Sequence, residues 1–217
     1  SSTCALPIYH CPFCVKARMI FGLKRLPIRL VTLLNDDETT PFNLIGKKMV
    51  PILIKDNGEA MPESLDIVRY VDGLDGKPVL TGRTNPAIAE WLQRAGSYSA
   101  KLLLPRIAHA DFEEFATASA RQYFIDKKQA SIGDFAEHLA NSADLIAQLE
   151  ADLQTLSPLI VSTDAVNGEL SEDDIHLFPL LRSLSIVAGV ALPDNVEAYR
   201  NRMAQRSEVP LLLDMEQ

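Results

Sequence analysis

Cys11-Pro12-Phe13-Cys14 joins a short strand-like run to a long amphipathic stretch, and a dithiol at such a junction restricts both the fold and the chemistry of the chain. A cysteine at a helix start sits among unpaired backbone N–H groups and the positive end of the helix dipole. Both favour thiolate over thiol and lower the thiol pKa from about 8.5 toward roughly 3.5–7.5. Cys11 is therefore the candidate nucleophile. Cys14 falls one turn further along on the same side of the helix, within sulfur reach but deeper, as a resolving thiol would.

Two other readings of the tetrapeptide are a zinc half-site and an inert structural pair. A closed zinc site needs four ligands, usually from a second CxxC or an HxxxH, and the chain has neither. Cys4 lies roughly 20 Å away along a strand rising about 3.3 Å per residue, and reads as a small apolar residue. His10 adjoins the motif and is read as a solvated side chain beside a turn.

The 217 residues are 47% hydrophobic, enough to bury a sizeable core. A net charge of −8 argues against nucleic-acid or anionic-membrane surfaces, which require concentrated Lys and Arg. Three cysteines do not make a disulfide framework, so a reducing compartment fits better. No apolar run is long enough to span a bilayer, and the first residues lack the basic region of a secretory signal; a cytoplasmic location is expected.

The first 75 or so residues change texture repeatedly, whereas the rest is helical in pattern. Ala5 to Tyr9 reads as a strand, Pro12 as the first position of a helix running to about Lys24, and Ile28 to Leu34 as a second strand. A helical turn at Pro41 to Ile45 precedes a strand over Met49 to Lys55. Asn57-Gly58 predicts a type I′ turn into a short strand at Glu59 to Met61. Ser64 is read as the cap of a helix ending at Gly73 or Gly76. This order, β-α-β, loop, β-β-α, is the thioredoxin arrangement. Beyond a turn-rich linker at residues 76–84, helices are expected near Pro86–Leu103, Phe112–Lys127, Ile132–Leu156, Glu172–Val187 and Val196–Arg206. One start is sharply marked: Ser171 and Asp174 form a capping box, flanked by Leu170 and Ile175 as a hydrophobic staple.

Taken together, Cys11-Pro12-Phe13-Cys14, Val50-Pro51-Ile52-Leu53, Met61-Pro62-Glu63-Ser64-Leu65-Asp66-Ile67-Val68 and Asn167-Gly168-Glu169-Leu170-Ser171-Glu172-Asp173-Asp174-Ile175 closely resemble the bacterial glutaredoxin 2 family, over nearly the whole chain from Leu6 onward. The resemblance implies a glutathione transferase-like architecture: an α/β thioredoxin-like domain at residues 1–75 and an all-α domain at residues 85–217. It also implies a glutathione-dependent disulfide reductase without a metal, acting on glutathionylated and disulfide-bonded proteins, with glutathione regenerated by its own reductase. A monomer is expected.

Pro51 resembles the cis-proline of thioredoxin folds, an isomer found in about 5–6% of X-Pro bonds, with Val50 offering its backbone to the cysteinyl part of glutathione as an added strand. Glu63-Ser64 resembles the acidic-Ser pair that holds the γ-glutamyl end: free N–H groups and a hydroxyl for its carboxylate, a carboxylate for its ammonium. Cys11 and Phe13 complete the implied glutathione site. Phe13 stands where the commonest glutaredoxin motif has Tyr, which removes a hydroxyl near the thiols. Two rival classes share the pocket. A conjugating transferase has no need of Cys14, and a non-enzymatic binding protein has no need of a low-pKa thiol.

Overall fold

The computed structural model describes residues 3–5 and 9–217, with side chains from Tyr9 onward. Expectations that rest on residues 6–8 or on the Cys4 side chain, including the role of Pro7 in an irregular first strand, lie outside the described residues.

The chain divides into two compact units. The first gathers Ser1–Pro78, Asp111–Asp126 and Ser207–Val209; the second holds Val79–Ala110, Lys127–Arg206 and Pro210–Gln217. The first unit contains β1 (Thr3–Ala5), α1 (Pro12–Leu23), β2 (Arg29–Leu30), α2 (Thr39–Ile45), β3 (Ile52–Ile54), β4 (Ala60–Met61) and α3 (Ser64–Gly73). Its sheet has the order β2-β1-β3-β4, with β1 and β2 parallel and the other pairs antiparallel. This is the expected thioredoxin-type topology, built on shorter strands.

The differences have local causes. The described first strand is Thr3–Ala5, which meets the expected Ala5–Tyr9 at Ala5, and Tyr9-His10 is a turn. Only Arg29 and Leu30 of the run to Leu34 join the ladder, because the following residues bond elsewhere: Thr32 Oγ1 donates to Glu113 and Asn35 N–H to the Glu114 carbonyl. At Asn57-Gly58 only the glycine has positive φ, +87°, so the turn is not type I′. Gly58 N–H donates to the Lys55 carbonyl and Lys55 N–H to that of Glu59, a three-residue loop closed by a left-handed glycine.

Helix α1 packs on α3, burying Cys14, Ala17, Met19, Ile20 and Phe21 against Ile67, Val68 and Val71. Lys24 caps α1, and its ammonium donates to the Asp72 and Lys77 carbonyls and to Asp75, at 2.8–2.9 Å. Gly22 is required in this helix rather than merely tolerated. A Cβ there would lie 1.8 Å from the Ser207 carbonyl oxygen.

The second unit is helical. Helix α4 (Pro86–His109) packs against α6 (Phe135–Ala140), α7 (Ser142–Leu156) and α8 (Glu172–Leu184). Asp152 of α7 ties three residues of α4 together, its carbonyl accepting from Trp91 and its carboxylate from Tyr98 and Arg94. Helix α4 runs past the expected end at Leu103 and through Pro105, and Arg106 donates to the Leu102 carbonyl in the turn that the proline ring disturbs. The run from Phe112 is a 3₁₀ turn at Glu113–Phe115 followed by α5 (Ala118–Ile132), whose first turn is capped by the Thr117 hydroxyl. The stretch from Ile132 to Leu156 holds two helices: Gly133 at φ +94° ends α5, Asp134 starts α6 by accepting from Ala136 N–H, and Asn141 separates α6 from α7.

Helix α8 starts where the capping box places it. Ser171 Oγ accepts from Asp173 N–H at 3.2 Å and Asp174 returns a bond from Ser171 N–H at 3.0 Å. Leu170 and Ile175 are both buried, as a staple requires. Asp174 also accepts from Val166 N–H and the Tyr199 hydroxyl of α9 (Asp194–Ser207), so the signal pins two further segments.

Candidate active site

Strand register brings the predicted residues to one end of the sheet. Ala5, the last residue of β1, is paired with Ile52, the first of β3; Met61, the last of β4, is paired with Leu53. The loop leading to Cys11, the Val50-Pro51 segment and the Glu63-Ser64 entry to α3 therefore all leave the sheet at the same end. The Val50–Pro51 bond is cis, as expected. Neither the N–H nor the C=O of Val50 forms a hydrogen bond among the described residues.

Cys11 is the N-cap of α1, and Pro12 occupies the first helical position, where a missing N–H costs nothing. Cys11 is partly exposed, while Cys14 is fully buried one turn on. The Cys14 thiol donates to the Cys11 sulfur, and this bond is the largest of the influences that lower the Cys11 pKa from 9.0 to about 6. Burial opposes the shift; the charge of His10 and the backbone N–H groups of Cys14 and Phe13 reinforce it. A thiol so lowered is mostly thiolate at neutral pH, with the buried Cys14 sulfur one turn away.

Lys16, one turn into α1, feels the Cys11 charge, which favours its ammonium, but burial outweighs this and lowers its pKa. The Phe13 ring is 56% exposed, with the Lys16 ammonium 5.0 Å from its centroid.

Ser64 is not the cap of α3. Glu63 holds that position with φ +72° and ψ 109°, accepting from Ile67 N–H at 2.9 Å through its carbonyl. Ser64 is the first helical residue, and its hydroxyl bonds to nothing among the described residues. A non-glycine residue held in the left-handed region costs on the order of 1–3 kcal/mol and is found preferentially at functional sites. Its side chain is half exposed and 3.5 Å from the Lys47 ammonium.

His10 departs most from expectation. It is only 7% exposed, and its imidazole and backbone both bond Glu114, a residue that sequence reasoning missed. The two are 104 positions apart, and the Asp111-Phe112-Glu113-Glu114-Phe115 run carries no local sign that it belongs with the CxxC.

Residues 87–216 match the family model for the glutaredoxin 2 C-terminal domain, and residues 7–79 that for the glutathione S-transferase N-terminal domain. Glutaredoxin 2 of Escherichia coli strain K12 is 58% identical over 206 residues, 95% of this chain and 96% of the relative. The crystal structure of glutaredoxin 2 from Salmonella typhimurium in complex with glutathione is 58% identical, covers 100% of this chain and 99% of its own, and superposes with a TM-score of 0.98. A glutathione S-transferase of Ceriporiopsis subvermispora shares 14% identity over 97% of this chain and 98% of its own with a TM-score of 0.71, a likeness of fold alone.

Proposed function

As a member of the glutaredoxin 2 family, the chain is a glutathione-dependent thiol–disulfide oxidoreductase, and we propose that Cys11 is its attacking thiol and Cys14 its resolving thiol. The observation that carries this assignment is the partly exposed Cys11 sulfur at the N-cap of α1, one turn from the buried Cys14, a setting that lowers the Cys11 pKa.

With a glutathione mixed disulfide, the Cys11 thiolate attacks the glutathione sulfur. A Cys11–glutathione disulfide forms, the substrate sulfur leaves as a thiolate and takes a proton from water. A second glutathione thiolate then attacks the bound glutathione sulfur, releasing oxidised glutathione and restoring the Cys11 thiolate. One free glutathione is consumed per turnover; its sulfur and the one brought by the substrate leave together as oxidised glutathione, which glutathione reductase returns to two thiols at the expense of NADPH. With a protein disulfide, Cys11 forms the mixed disulfide and Cys14 displaces the second substrate sulfur. The resulting Cys11–Cys14 disulfide is reopened by glutathione.

Glutathione is the co-substrate in this reading, as it is the molecule crystallised with the 58% identical relative. Val50, with its unpaired backbone donor and acceptor beside cis-Pro51, supplies an edge for antiparallel pairing. The free N–H groups and free Ser64 hydroxyl at the start of α3 suit the γ-glutamyl carboxylate, and Glu63 its ammonium. The exposed Phe13 ring and Cys11 complete the contact surface. No helix among the described residues is long and apolar enough to cross a membrane, and a free dithiol belongs in a reducing compartment such as the cytoplasm. The protein acts as a monomer on glutathionylated and disulfide-bonded proteins.

The test is a coupled assay that follows NADPH loss in the presence of glutathione, glutathione reductase and a small glutathione mixed disulfide. Turnover that depends on Cys11 is expected; its absence overturns the assignment.

A further inference from the structure

Glu114 has no exposed side-chain surface, and a single one of its oxygens, Oε2, accepts two bonds from His10: from the backbone N–H at 3.0 Å and from Nδ1 at 2.8 Å. Its other oxygen, Oε1, is buried and makes no hydrogen bond among the described residues. The imidazole is walled by three rings, Phe112, Phe115 and Phe124, with centroids 5.0–5.7 Å away. The carboxylate and imidazole thus sit buried among aromatic rings, the imidazole on the residue immediately before Cys11.

Charge placed in such surroundings survives only when paired. The carboxylate oxygen 2.8 Å from Nδ1 is the counter-charge that an imidazolium among three phenyl rings requires. The same bond fixes the ring, and the backbone bond fixes the peptide leading into Cys11. Other charges surround the pair. Lys16 and Arg18 lie on α1, Glu113 on the same 3₁₀ turn bonds Thr32, and Arg121 of α5 lies 5.3 Å over the Phe115 ring.

Resting on the assignment of Cys11 as the attacking thiol, we propose that His10 and Glu114 are positioning residues for it: the buried carboxylate keeps the imidazole doubly protonated, and the resulting cation, one residue before Cys11, stabilises the thiolate. Glu114 works through His10, because a negative charge acting alone would disfavour a second anion nearby. That gives the experiment a sign to read. The favourable influence of His10 on the Cys11 anion is in keeping with it.

The experiment measures the rate of iodoacetamide alkylation of Cys11 against pH, read on the Cys11 peptide by mass spectrometry, in the parent protein, His10→Gln, Glu114→Gln and the double variant. Each single variant is expected to raise the midpoint by about one pH unit, and the double variant no further than either alone. Glu114→Asp, which keeps the charge, is expected to stay closer to the parent than Glu114→Gln. A Glu114→Gln midpoint that falls or stays put overturns the proposal, as does an unchanged midpoint in His10→Gln. A readout independent of any variant is the 15N spectrum of the His10 ring in the parent at pH 7: two protonated nitrogens are expected, and a neutral tautomer overturns the proposal. Turnover of the small mixed disulfide by the parent, run alongside, separates the two readings. An inactive parent sinks the assignment of Cys11; an active parent whose variants titrate as it does sinks the His10–Glu114 role alone.

Discussion

The starts of α1 and α8 face the same requirement, a first turn of backbone N–H groups without helical partners, and meet it with different atoms. At α8 the Ser171 hydroxyl and the Asp174 carboxylate take up the donors, both residues are buried, and nothing is left over for a ligand. At α1 the cap is a cysteine that closes no side-chain capping bond, the next residue is proline, and the N–H groups of Phe13 and Cys14 are directed at a partly exposed sulfur. One end is closed by oxygen and serves the fold. The other is left to a sulfur that becomes an anion, so the same local physics serves stability in one unit and reactivity in the other.

Substitution at the two caps is the most direct way to break this contrast. Cys11→Ser is expected to remove all glutathione-linked turnover, since a serine hydroxyl has no accessible anion near neutral pH and forms no exchangeable disulfide. Cys14→Ser should keep turnover of small mixed disulfides and lose reduction of protein disulfides. Assaying both variants on both substrates checks the division of labour, and equal loss on the small substrate contradicts it.

The pH dependence of the α1 end comes next in size. Lowering the Cys11 pKa from 9.0 to about 6 means an about five-hundredfold larger thiolate fraction at pH 6 than an unperturbed thiol has. Alkylation of Cys11 should reach half its limiting rate near that pH. Because the folded-state value lies below the unfolded one, the thiolate contributes stability that is present above about pH 9 and is lost as pH falls through about 6. Chemical denaturation across this interval should show stability rising with pH from this group; a midpoint of alkylation above pH 8 would remove the basis for both expectations.

What holds α1 in place is at its far end rather than at its cap. Gly22→Ala would drive a methyl into the Ser207 backbone, and a stability loss at or above about 1–3 kcal/mol is expected from such overpacking in thermal or denaturant unfolding. The smallest effect belongs to α8. Ser171→Ala should cost about 0.5–2 kcal/mol while leaving the affinity of the folded protein for glutathione unchanged. Loss of glutathione binding without loss of stability would mean that the α8 start is a ligand site after all.

The features legible in the sequence were those whose partners lie within one helical turn. Cys11, Pro12 and Cys14 specify a helix start and a thiol pair within four residues, and Ser171 and Asp174 specify a cap within the same span. The order of strands and helices in the thioredoxin-like unit was legible for a similar reason: each boundary is written by Pro, Gly or a change of period. Glu63 was misread by one position because nothing about a glutamate announces φ +72°; the conformation is imposed by the entry from β4 into α3. Strand ends were overextended at β2 because Thr32 and Asn35 bond to Glu113 and Glu114, residues that no local pattern links to them. The expected end at Leu103 fell short because tertiary packing of α4 carries the helix through Pro105 to His109. His10 failed most instructively: its burial depends on four residues from beyond position 110.

That last dependence bears on how the molecule could be divided. Residues 111–126 and 207–209 are gathered into the same compact unit as the CxxC. A fragment ending in the turn-rich segment at 76–84 would carry every residue of the redox motif and yet lack the His10 carboxylate partner, its aromatic walls, and the Ser207 backbone against which α1 is fitted. The small α/β half is thus not a portable cassette. Its reactivity is written in an interleaved text, and recombination or truncation that respects the linear order of the chain would still sever the part that makes the thiol useful.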